Sequence, residues 1–305
     1  MVDTRMTLST ASPFRLDLTS WALRRREKNA VDRWDGSRYT RVIAVDSSPV
    51  RLTVTQETTG AEPVLIVSLH PGAGDQLRED TGLLVQKILG LTVDLQPFYV
   101  LARDNELLRP LVEQFSAVRP PRFPSVFEAL VNSIACQQVT LDLGILLLNR
   151  LSERFGPAVN DHGTVQHGFP GPADLAEATE EALRQLGFSH QKARAIRELA
   201  ADVVADRLDL ASLDSMTNRE AVDYLSTIRG IGRWSAEYVL LRGLGRLDTF
   251  PGDDVGAQNN LQRLFHLVDK PNYEQIRDLT SPWHPYEGLV YFHLLLEKLQ
   301  TKGVL

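Results

Sequence analysis

The chain has 305 residues, of which 43% are hydrophobic and 24% are charged, and its formal net charge is −6 at pH 7. This length suits two domains, and the composition is that of a globular protein without the run of about 18 apolar residues that a membrane span requires. The single cysteine, Cys136, excludes both an intramolecular disulfide and a four-cysteine iron–sulfur cluster. Residues 1–20 lack the pattern of a secretion signal, so we expect a cytoplasmic protein.

The first part of the chain has the pattern of an antiparallel sheet. Residues 38–70 alternate between apolar and polar side chains on both sides of a turn at 59–63, which predicts strands joined by a hairpin. A short helix is predicted at 21–28, and helical spacing returns at 82–89. We therefore predict an α+β domain over residues 1–115, an antiparallel sheet with helices on one face.

The second part, residues 116–305, has helical patterns instead. Ser125 and Glu128 form a capping box that opens a helix running to about Gln137. The Gly- and Pro-rich segment 157–172 is predicted to be a loop. Further helices are predicted over 140–155, 179–186, 191–206, 218–228, 234–243, 254–267 and 286–299. These patterns predict an all-helical second domain.

Two glycines separate two of these helices. Thr217 and Glu220 form the capping box of the first helix, Gly230 and Gly232 end it, and the second begins near Trp234. Because glycine has no Cβ, the backbone N–H groups of such a turn stay open to an anion, most simply a phosphate. A glycine cap alone would explain an isolated Gly-Ile-Gly. An acidic residue that opens another helix twenty positions after Trp234 favours the functional interpretation.

The pattern Leu-x-x-Ile-x-Gly-Ile-Gly-x-Trp-Ser-Ala at 225–236, with Pro-Gly-Asp-Asp at 251–254, resembles the helix–hairpin–helix superfamily of DNA glycosylases. The closest likeness is to the DNA-3-methyladenine glycosylase II branch. The resemblance covers residues 120–300 well and the first 115 weakly, where the branch carries an α+β domain without catalytic residues. It implies a DNA glycosylase of base excision repair that flips alkylated purines, of the 3-methyladenine and 7-methylguanine type, out of duplex DNA. Water then attacks the sugar C1′ and leaves an abasic site.

Asp254 is the predicted catalytic residue. Cleavage of an N-glycosidic bond places positive charge on the sugar, and a fixed carboxylate can stabilise this charge and orient the attacking water. Asp254 stands at or near a helix N-terminus, where the helix dipole favours the ionised carboxylate. Local sequence also allows an ordinary N-cap, and Asp253 competes for both roles. The resemblance assigns catalysis to the second acid of the pair, Asp254.

Three aromatic residues are the predicted base pocket. Trp234 and Tyr238 are four positions apart on one helix face, and Trp283 precedes the last helix, where a tryptophan of the resembling branch lines the pocket. An aromatic wall attracts a cationic alkylpurine by about 0.5–2 kcal/mol for each good contact. Each ring could instead belong to the core. Trp234 also stands where lyase members carry the lysine that forms a Schiff base, so the resemblance implies an enzyme without lyase activity.

Four residues of the hairpin are the predicted phosphate contacts: Gly230, Gly232, Arg229 and Arg233. The segment 229–246 holds four arginines against Glu237 alone, so this face is basic although the whole chain is acidic. The predicted partner is double-stranded DNA containing damaged bases, with no membrane, and the protein is predicted to be a monomer. In a bacterium it would be associated with the nucleoid.

Gln138 lies in the turn between two predicted helices, and by resemblance it is the plug that fills the duplex when a base is flipped out. An ordinary interhelix turn is the alternative. The resemblance also implies that the backbone carbonyls of Ser226, Ile228 and Ile231 hold a structural monovalent cation. No other cofactor is predicted, because the histidines show no zinc-site spacing.

Two further interpretations stay open. The first is a glycosylase of the same fold that acts on deaminated or other damaged bases. The second is a non-catalytic helix–hairpin–helix protein that only binds DNA. Asp254 discriminates against the second, because a pure binding module gains nothing from an acid that faces a phosphate backbone.

Overall fold

A computed structural model describes residues 4–45, 48–59, 62–70, 75–161 and 163–305. Its first half is built around one five-stranded antiparallel sheet with the strand order β1-β5-β4-β3-β2. The elements are β1 (Thr4–Ser9), α1 (Leu16–Arg24), β2 (Arg33–Trp34), β3 (Arg38–Val45), β4 (Ser48–Thr59), β5 (Glu62–His70), α2 (Asp75–Ile88), α3 (Gln96–Arg103) and α4 (Leu108–Gln114).

The alternation seen at 38–70 is the alternation of this sheet. On β4 and β5, Leu52 is paired with Leu69 and Val54 with Val67, and all four side chains are fully buried. Because successive side chains of a strand point to opposite faces, a period of two buries one face against the core. The predicted turn at 59–63 contains residues 60–61, which lie outside the described residues.

The second half is largely helical, as predicted. Its elements are α5 (Val126–Cys136), α6 (Leu141–Phe155), β6 (Ala158–Asp161), β7 (Thr164–His167), α7 (Pro172–Ala176), α8 (Glu180–Gln185), α9 (His190–Val204), α10 (Asn218–Ser226), α11 (Arg233–Val239), α12 (Val255–Leu264), α13 (Tyr273–Thr280) and α14 (Glu287–Thr301). Thr217 and Glu220 form the predicted reciprocal capping box. Of the box predicted at Ser125 only the N-cap bond is present, in which Ser125 Oγ accepts the N–H of Glu128 at 3.1 Å, because the Glu128 carboxylate binds Arg41 instead. Within the described ranges, no helix is long and apolar enough to cross a membrane.

Several local expectations differ from the structure. The predicted loop 157–172 contains the small hairpin β6–β7, whose four-residue strands are too short to show an alternation. The first helix runs over Leu16–Arg24 rather than 21–28, since Arg25 has a left-handed φ of 61° that ends it. Strand β1 and helices α3, α4, α7 and α13 were not predicted, although Asn272 and Gln275 form the capping box of α13.

Packing is continuous across the predicted domain boundary at residue 115. One hydrophobic cluster joins sheet residues such as Leu52 to Leu130 of α5, and a second joins Phe98 of α3 to Phe292 of α14. A buried ion-pair network adds to this contact, because Arg41 of β3 binds Asp32 at 2.7 Å and Glu128 of α5 at 2.5 Å. The division into domains 1–115 and 116–305 stays a prediction. The sheet packs against helices of the second half in one hydrophobic cluster.

Candidate active site

A cavity of about 820 Å³ opens beside the glycine turn. Six parts of the chain line it: the residues after α1, the turn between α5 and α6, helix α11, the segment Leu240–Leu244 that follows α11, the first half of α12 with the two aspartates before it, and helix α14. The cavity therefore combines groups from both ends of the sequence.

The glycine turn has the predicted form. Gly230 has a φ of +82°, and a Cβ built on it would lie 3.1 Å from the Cβ of Ala195. Gly232 is the N-cap residue of α11, and no described atom lies within 4 Å of the position its Cβ would take. Gly230 is needed for the backbone conformation, whereas Gly232 leaves the backbone of the turn open to a ligand.

Asp254 is held through both of its carboxylate oxygens at the cavity wall. It is the N-cap of α12, where Oδ1 accepts the N–H of Ala257 at 2.8 Å. Oδ2 accepts the hydroxyl of Tyr291 at 3.2 Å and the indole N–H of Trp234 at 3.4 Å. Gly256 leaves room for this carboxylate, since a Cβ built on it would lie 2.9 Å from Oδ1. The same side chain therefore caps α12 and faces the cavity. An N-cap and a catalytic group, the two interpretations that the sequence allowed for Asp254, are compatible.

Asp253 has a different environment from its neighbour. Arg233 donates to both of its oxygens, from Nε at 2.8 Å and from Nη2 at 3.1 Å. The same guanidinium lies over the ring of Tyr273, 3.5 Å from its centroid. Asp253 is therefore bound to Arg233, which leaves Asp254 as the carboxylate with hydrogen bonds from the aromatic wall.

Trp234 and Tyr238 form that wall. Their rings are stacked with centroids 5.6 Å apart and planes inclined by 27°, and both line the cavity. Burial and the field of Asp254 hold the pKa of Tyr291 well above its ordinary value, so its hydroxyl remains a donor to that carboxylate. The wall is thus aromatic next to the acid.

Trp283 lies elsewhere, contrary to the prediction. Its ring is 1% exposed, stacks on Phe265 with centroids 5.7 Å apart, and belongs to the second hydrophobic cluster. It is absent from the described residues that line the cavity. The physical reason is that this large apolar ring, at the end of the short 3-10 turn Ser281–Trp283, is buried in the second hydrophobic cluster, where it is removed from water.

Gln138 is exposed at the cavity, in the turn between α5 and α6, with a left-handed φ of 52°. This backbone conformation is uncommon for a residue with a side chain, and such residues concentrate at functional sites. The preceding Gln137 fixes the turn to the hairpin, because its Nε2 donates to the carbonyl of Gly230 at 2.6 Å and to Ser235 Oγ at 2.8 Å. The structure therefore places Gln138 beside the glycine turn.

The two predicted phosphate arginines both have acidic partners in this structure. Arg229 binds Glu198 at 2.6 Å, and Arg233 binds Asp253, while about half of each arginine side chain is exposed. Exposed ion pairs contribute about 0–1 kcal/mol, so either arginine can exchange its partner for a phosphate at low cost.

The three carbonyls named as cation ligands lie in the same turn. The carbonyl of Ile228 accepts the N–H of Ile231 at 3.0 Å, and a carbonyl oxygen has a second lone pair for another partner. In the part of the chain that the structure describes, no group of three or more His, Cys, Asp or Glu side chains could hold a metal. A cation here would depend on Ser226, Ile228 and Ile231 through their backbone alone.

Sequence reasoning missed several side chains that line the cavity, among them Arg25, Arg242, Tyr291 and Lys298. Tyr291 and Lys298 lie on a correctly predicted last helix, yet nothing in its spacing marks which residues face an active site. Arg25 comes from the first 115 residues, where no site residue was expected. Only the folded chain brings it next to Tyr238, 213 positions away.

A glycine turn between two helices, followed by a fixed aspartate in an aromatic cavity, defines a helix–hairpin–helix base excision repair protein. Residues 131–285 match the model of the HhH-GPD superfamily of base excision DNA repair proteins. The chain belongs to this superfamily. The matched segment contains the glycine turn, Trp234 and Asp254.

Individual relatives agree with the predicted branch. A DNA-3-methyladenine glycosylase of Bacillus subtilis is 28% identical over 272 residues, which cover 88% of this chain and 89% of that protein. The alkylbase DNA glycosidase-like protein mag2 of Schizosaccharomyces pombe is 30% identical, covering 58% of this chain and 80% of its own. The structure of a 3-methyladenine DNA glycosylase from Archaeoglobus fulgidus superposes with a TM-score of 0.84 at 25% identity, over 95% of this chain and 97% of that one. The resemblance to the 3-methyladenine branch is confirmed.

Proposed function

We propose that this protein is a monofunctional DNA glycosylase that excises alkylated purines, of the 3-methyladenine and 7-methylguanine type, from duplex DNA. The observation that carries the proposal is Asp254, fixed through both oxygens beside the stacked rings of Trp234 and Tyr238. The relatives named DNA-3-methyladenine glycosylase support the substrate class.

The chemistry follows from the charge of the substrate. Alkylation at N3 or N7 makes a purine cationic, so the base leaves as a neutral molecule when the C1′–N bond breaks and its electron pair goes to the base. Asp254 stabilises the positive charge that develops on the sugar and orients the water that adds to C1′. Trp234 and Tyr238 offer the cationic base an aromatic surface, worth about 0.5–2 kcal/mol for each good contact. No general acid is needed for such a leaving group.

The DNA is held at the glycine turn. Backbone N–H groups around Gly230 and Gly232 bind a phosphate, with Arg229 and Arg233 adding charge, and Gln138 enters the duplex where the damaged base has left. The carbonyls of Ser226, Ile228 and Ile231 hold a monovalent cation that offsets carbonyl repulsion near this phosphate. We further propose that the enzyme needs no other cofactor and acts as a monomer.

The reaction ends at the abasic site. Trp234 stands where a lyase has its lysine, and a tryptophan has no amine that could form an imine with the sugar. Lys192 caps α5, because its Nζ donates to the carbonyls of Ala135 at 2.9 Å and Gln137 at 2.7 Å, and it is not among the described residues that line the cavity. Water is therefore the nucleophile.

The test uses duplexes that each carry one defined lesion. Incubation with the protein should release 7-methylguanine and produce abasic sites, and strands should break only after alkali or heat. Borohydride added during turnover should trap no protein–DNA adduct. Release of deaminated bases alone would show that the substrate class is different from the one proposed. Binding without release of any base would show a DNA-binding module. A trapped adduct would show an amine nucleophile, such as Lys298.

A further inference from the structure

Lys298 is a half-buried cation at the cavity that the chemistry above does not use. It lies on α14, seven positions after Tyr291, so two helical turns place both side chains on the same face of that helix. A Cβ built on Gly256 would lie 3.5 Å from Lys298 Nζ and 2.9 Å from Asp254 Oδ1. The ammonium therefore lies close to the carboxylate that faces the sugar.

This ammonium has no partner of its own. Among the residues that the structure describes, Lys298 forms no hydrogen bond and no ion pair, not even with Asp254. The neighbouring carboxylate of Glu297 is already bound by Arg263 at 2.5 Å. Burial, and then the charge of Lys302, lower the pKa of Lys298. A half-buried ammonium among other cations, without a carboxylate to neutralise it, is suited to binding an anion.

Arg26 is a second cation at the same cavity. Its side chain is 16% exposed, and its Nε binds Asp142 at 3.1 Å, but the aspartate side chain is 72% exposed, so this ion pair is weak. The charge of Arg26 also lowers the pKa of Lys298, which shows that the two cations lie near each other. The end of α1 and helix α14 therefore give this part of the cavity wall a positive charge.

DNA requires a positive charge at this place. A flipped nucleotide carries a phosphate on each side of its sugar, and both come close to Asp254 when the carboxylate faces C1′. The glycine turn accounts for one phosphate, next to Trp234. The other phosphate would be repelled by Asp254 unless a cation offset the two negative charges. Lys298 lies on the α14 side of that carboxylate, where Tyr291 binds it.

We propose that Lys298, assisted by Arg26, binds the second phosphate that flanks the flipped nucleotide. This inference rests on the proposed glycosylase function and adds a DNA contact outside the hairpin. The ammonium offsets the repulsion between that phosphate and Asp254. The sugar is then held through both of its phosphates, which positions C1′ at the carboxylate before the bond breaks.

The test measures binding rather than catalysis. The duplex carries a tetrahydrofuran abasic-site analogue at the lesion position, which no glycosylase can cleave. Each of the two flanking phosphates is replaced in turn by a neutral methylphosphonate. Dissociation constants of wild type and Lys298→Met for the three duplexes form two double-mutant cycles, and a direct contact makes one cycle non-additive.

Lys302 provides a matched control on the same helix end. It follows Lys298 by one turn, is exposed, and is not among the described residues that line the cavity. Lys302→Met removes the same charge from the same region, so it reports the effect of the general field without a contact.

Lys298→Met should weaken binding to the unmodified duplex by about tenfold and reduce its salt dependence by about one unit of log K against log salt. One methylphosphonate should weaken wild-type binding by a similar factor and have little further effect on Lys298→Met. Lys298→Arg should restore most of this coupling, and Lys302→Met should leave both cycles as they are in the wild type.

Additive losses in both cycles would overturn the inference, as would a Lys298→Met protein that binds normally and loses only the rate of base release. Coupling in a protein that releases no base would overturn the proposed catalytic function and leave the phosphate contact in place.

Discussion

The two sides of the cavity differ in how the sequence encodes them. The hairpin side, with Trp234, Tyr238 and Asp254, comes from one segment of about twenty residues whose glycines and caps define its shape. The opposite side comes from the end of α1 and from α14, and Arg25 reaches Tyr238 across 213 positions. The hairpin side carries groups that a local sequence pattern marks, whereas the rest of the cavity wall carries groups that no local pattern defines.

The largest expected effect is on the hairpin side, at Asp254. Asp254→Asn keeps the shape but removes the charge that faces the sugar cation, so kcat/KM should fall by about 10²-fold or more while DNA binding persists. Asp253→Asn is the matched control, since Arg233 occupies that carboxylate. Full activity in Asp254→Asn, with loss in Asp253→Asn, would reverse the assignment within the pair.

Trp234→Ala should have the next largest effect on excision. It should lower kcat/KM, because stacking on the damaged base, worth about 1–3 kcal/mol, is lost. Binding to undamaged duplex should stay almost intact. Trp234→Phe separates two contributions, because it keeps a ring but removes the N–H that lies 3.4 Å from Asp254 Oδ2. Parallel losses of excision and undamaged-duplex binding in Trp234→Ala would make Trp234 a core residue.

The two glycines should respond differently to valine. Gly230→Val forces a β-branched residue to a φ of +82° against Ala195 and should lower the thermal stability of the protein. Gly232→Val enters open space, so it should leave stability unchanged and weaken binding to all duplexes alike. Melting temperatures and duplex affinities measured together check this; equal stability losses would mean that Gly232 is also a conformational requirement.

Tyr291→Phe tests the contact that α14 makes with Asp254. It removes one hydrogen bond to Oδ2 and keeps the ring, and an intramolecular hydrogen bond contributes about 0.5–1.5 kcal/mol. A decrease of kcat by several-fold, with KM unchanged, is expected. No decrease would show that Trp234 and Ala257 suffice to hold the carboxylate.

The smallest effects should appear at Arg229 and Arg233. Replacing either by Met should reduce the salt dependence of duplex binding by about one unit of log K against log salt for each lost phosphate contact. Arg207 is an exposed control, paired with Asp202 away from the cavity. If neither hairpin arginine changes the slope, the DNA lies on another face.

The parts of the fold that could be predicted are those that a short-range sequence pattern specifies. The capping box at Thr217, the N-cap at Ser125 and the alternation on β4 and β5 are short-range patterns, and each matches an observed element. The second half of the box predicted at Ser125 is absent, because the Glu128 carboxylate pairs with Arg41. The four-residue strands of β6–β7 are too short for such a pattern.

Side-chain direction was harder to infer. Trp283 stands in the expected sequence context, but its ring packs on Phe265, because a turn of three residues decides where it points. The position of Arg25 depends on the whole tertiary fold, since its guanidinium binds Tyr238 of α11 and Asn132 of α5, both far away in the sequence. Spacing along the chain specifies elements, and packing between them specifies which side chains meet.

The ion pairs of Arg41 also limit how far the protein can be shortened. Glu128 lies in the helix that opens the second half, 4% exposed, and its counter-ion is on β3. A fragment that starts at residue 116 would retain this carboxylate without the guanidinium that neutralises it, and removing one partner of a buried pair costs about 3–5 kcal/mol. It would also uncover the apolar faces of α5 and α14 that now rest on residues of the first half. The smallest autonomous catalyst in this sequence is therefore nearly the whole chain.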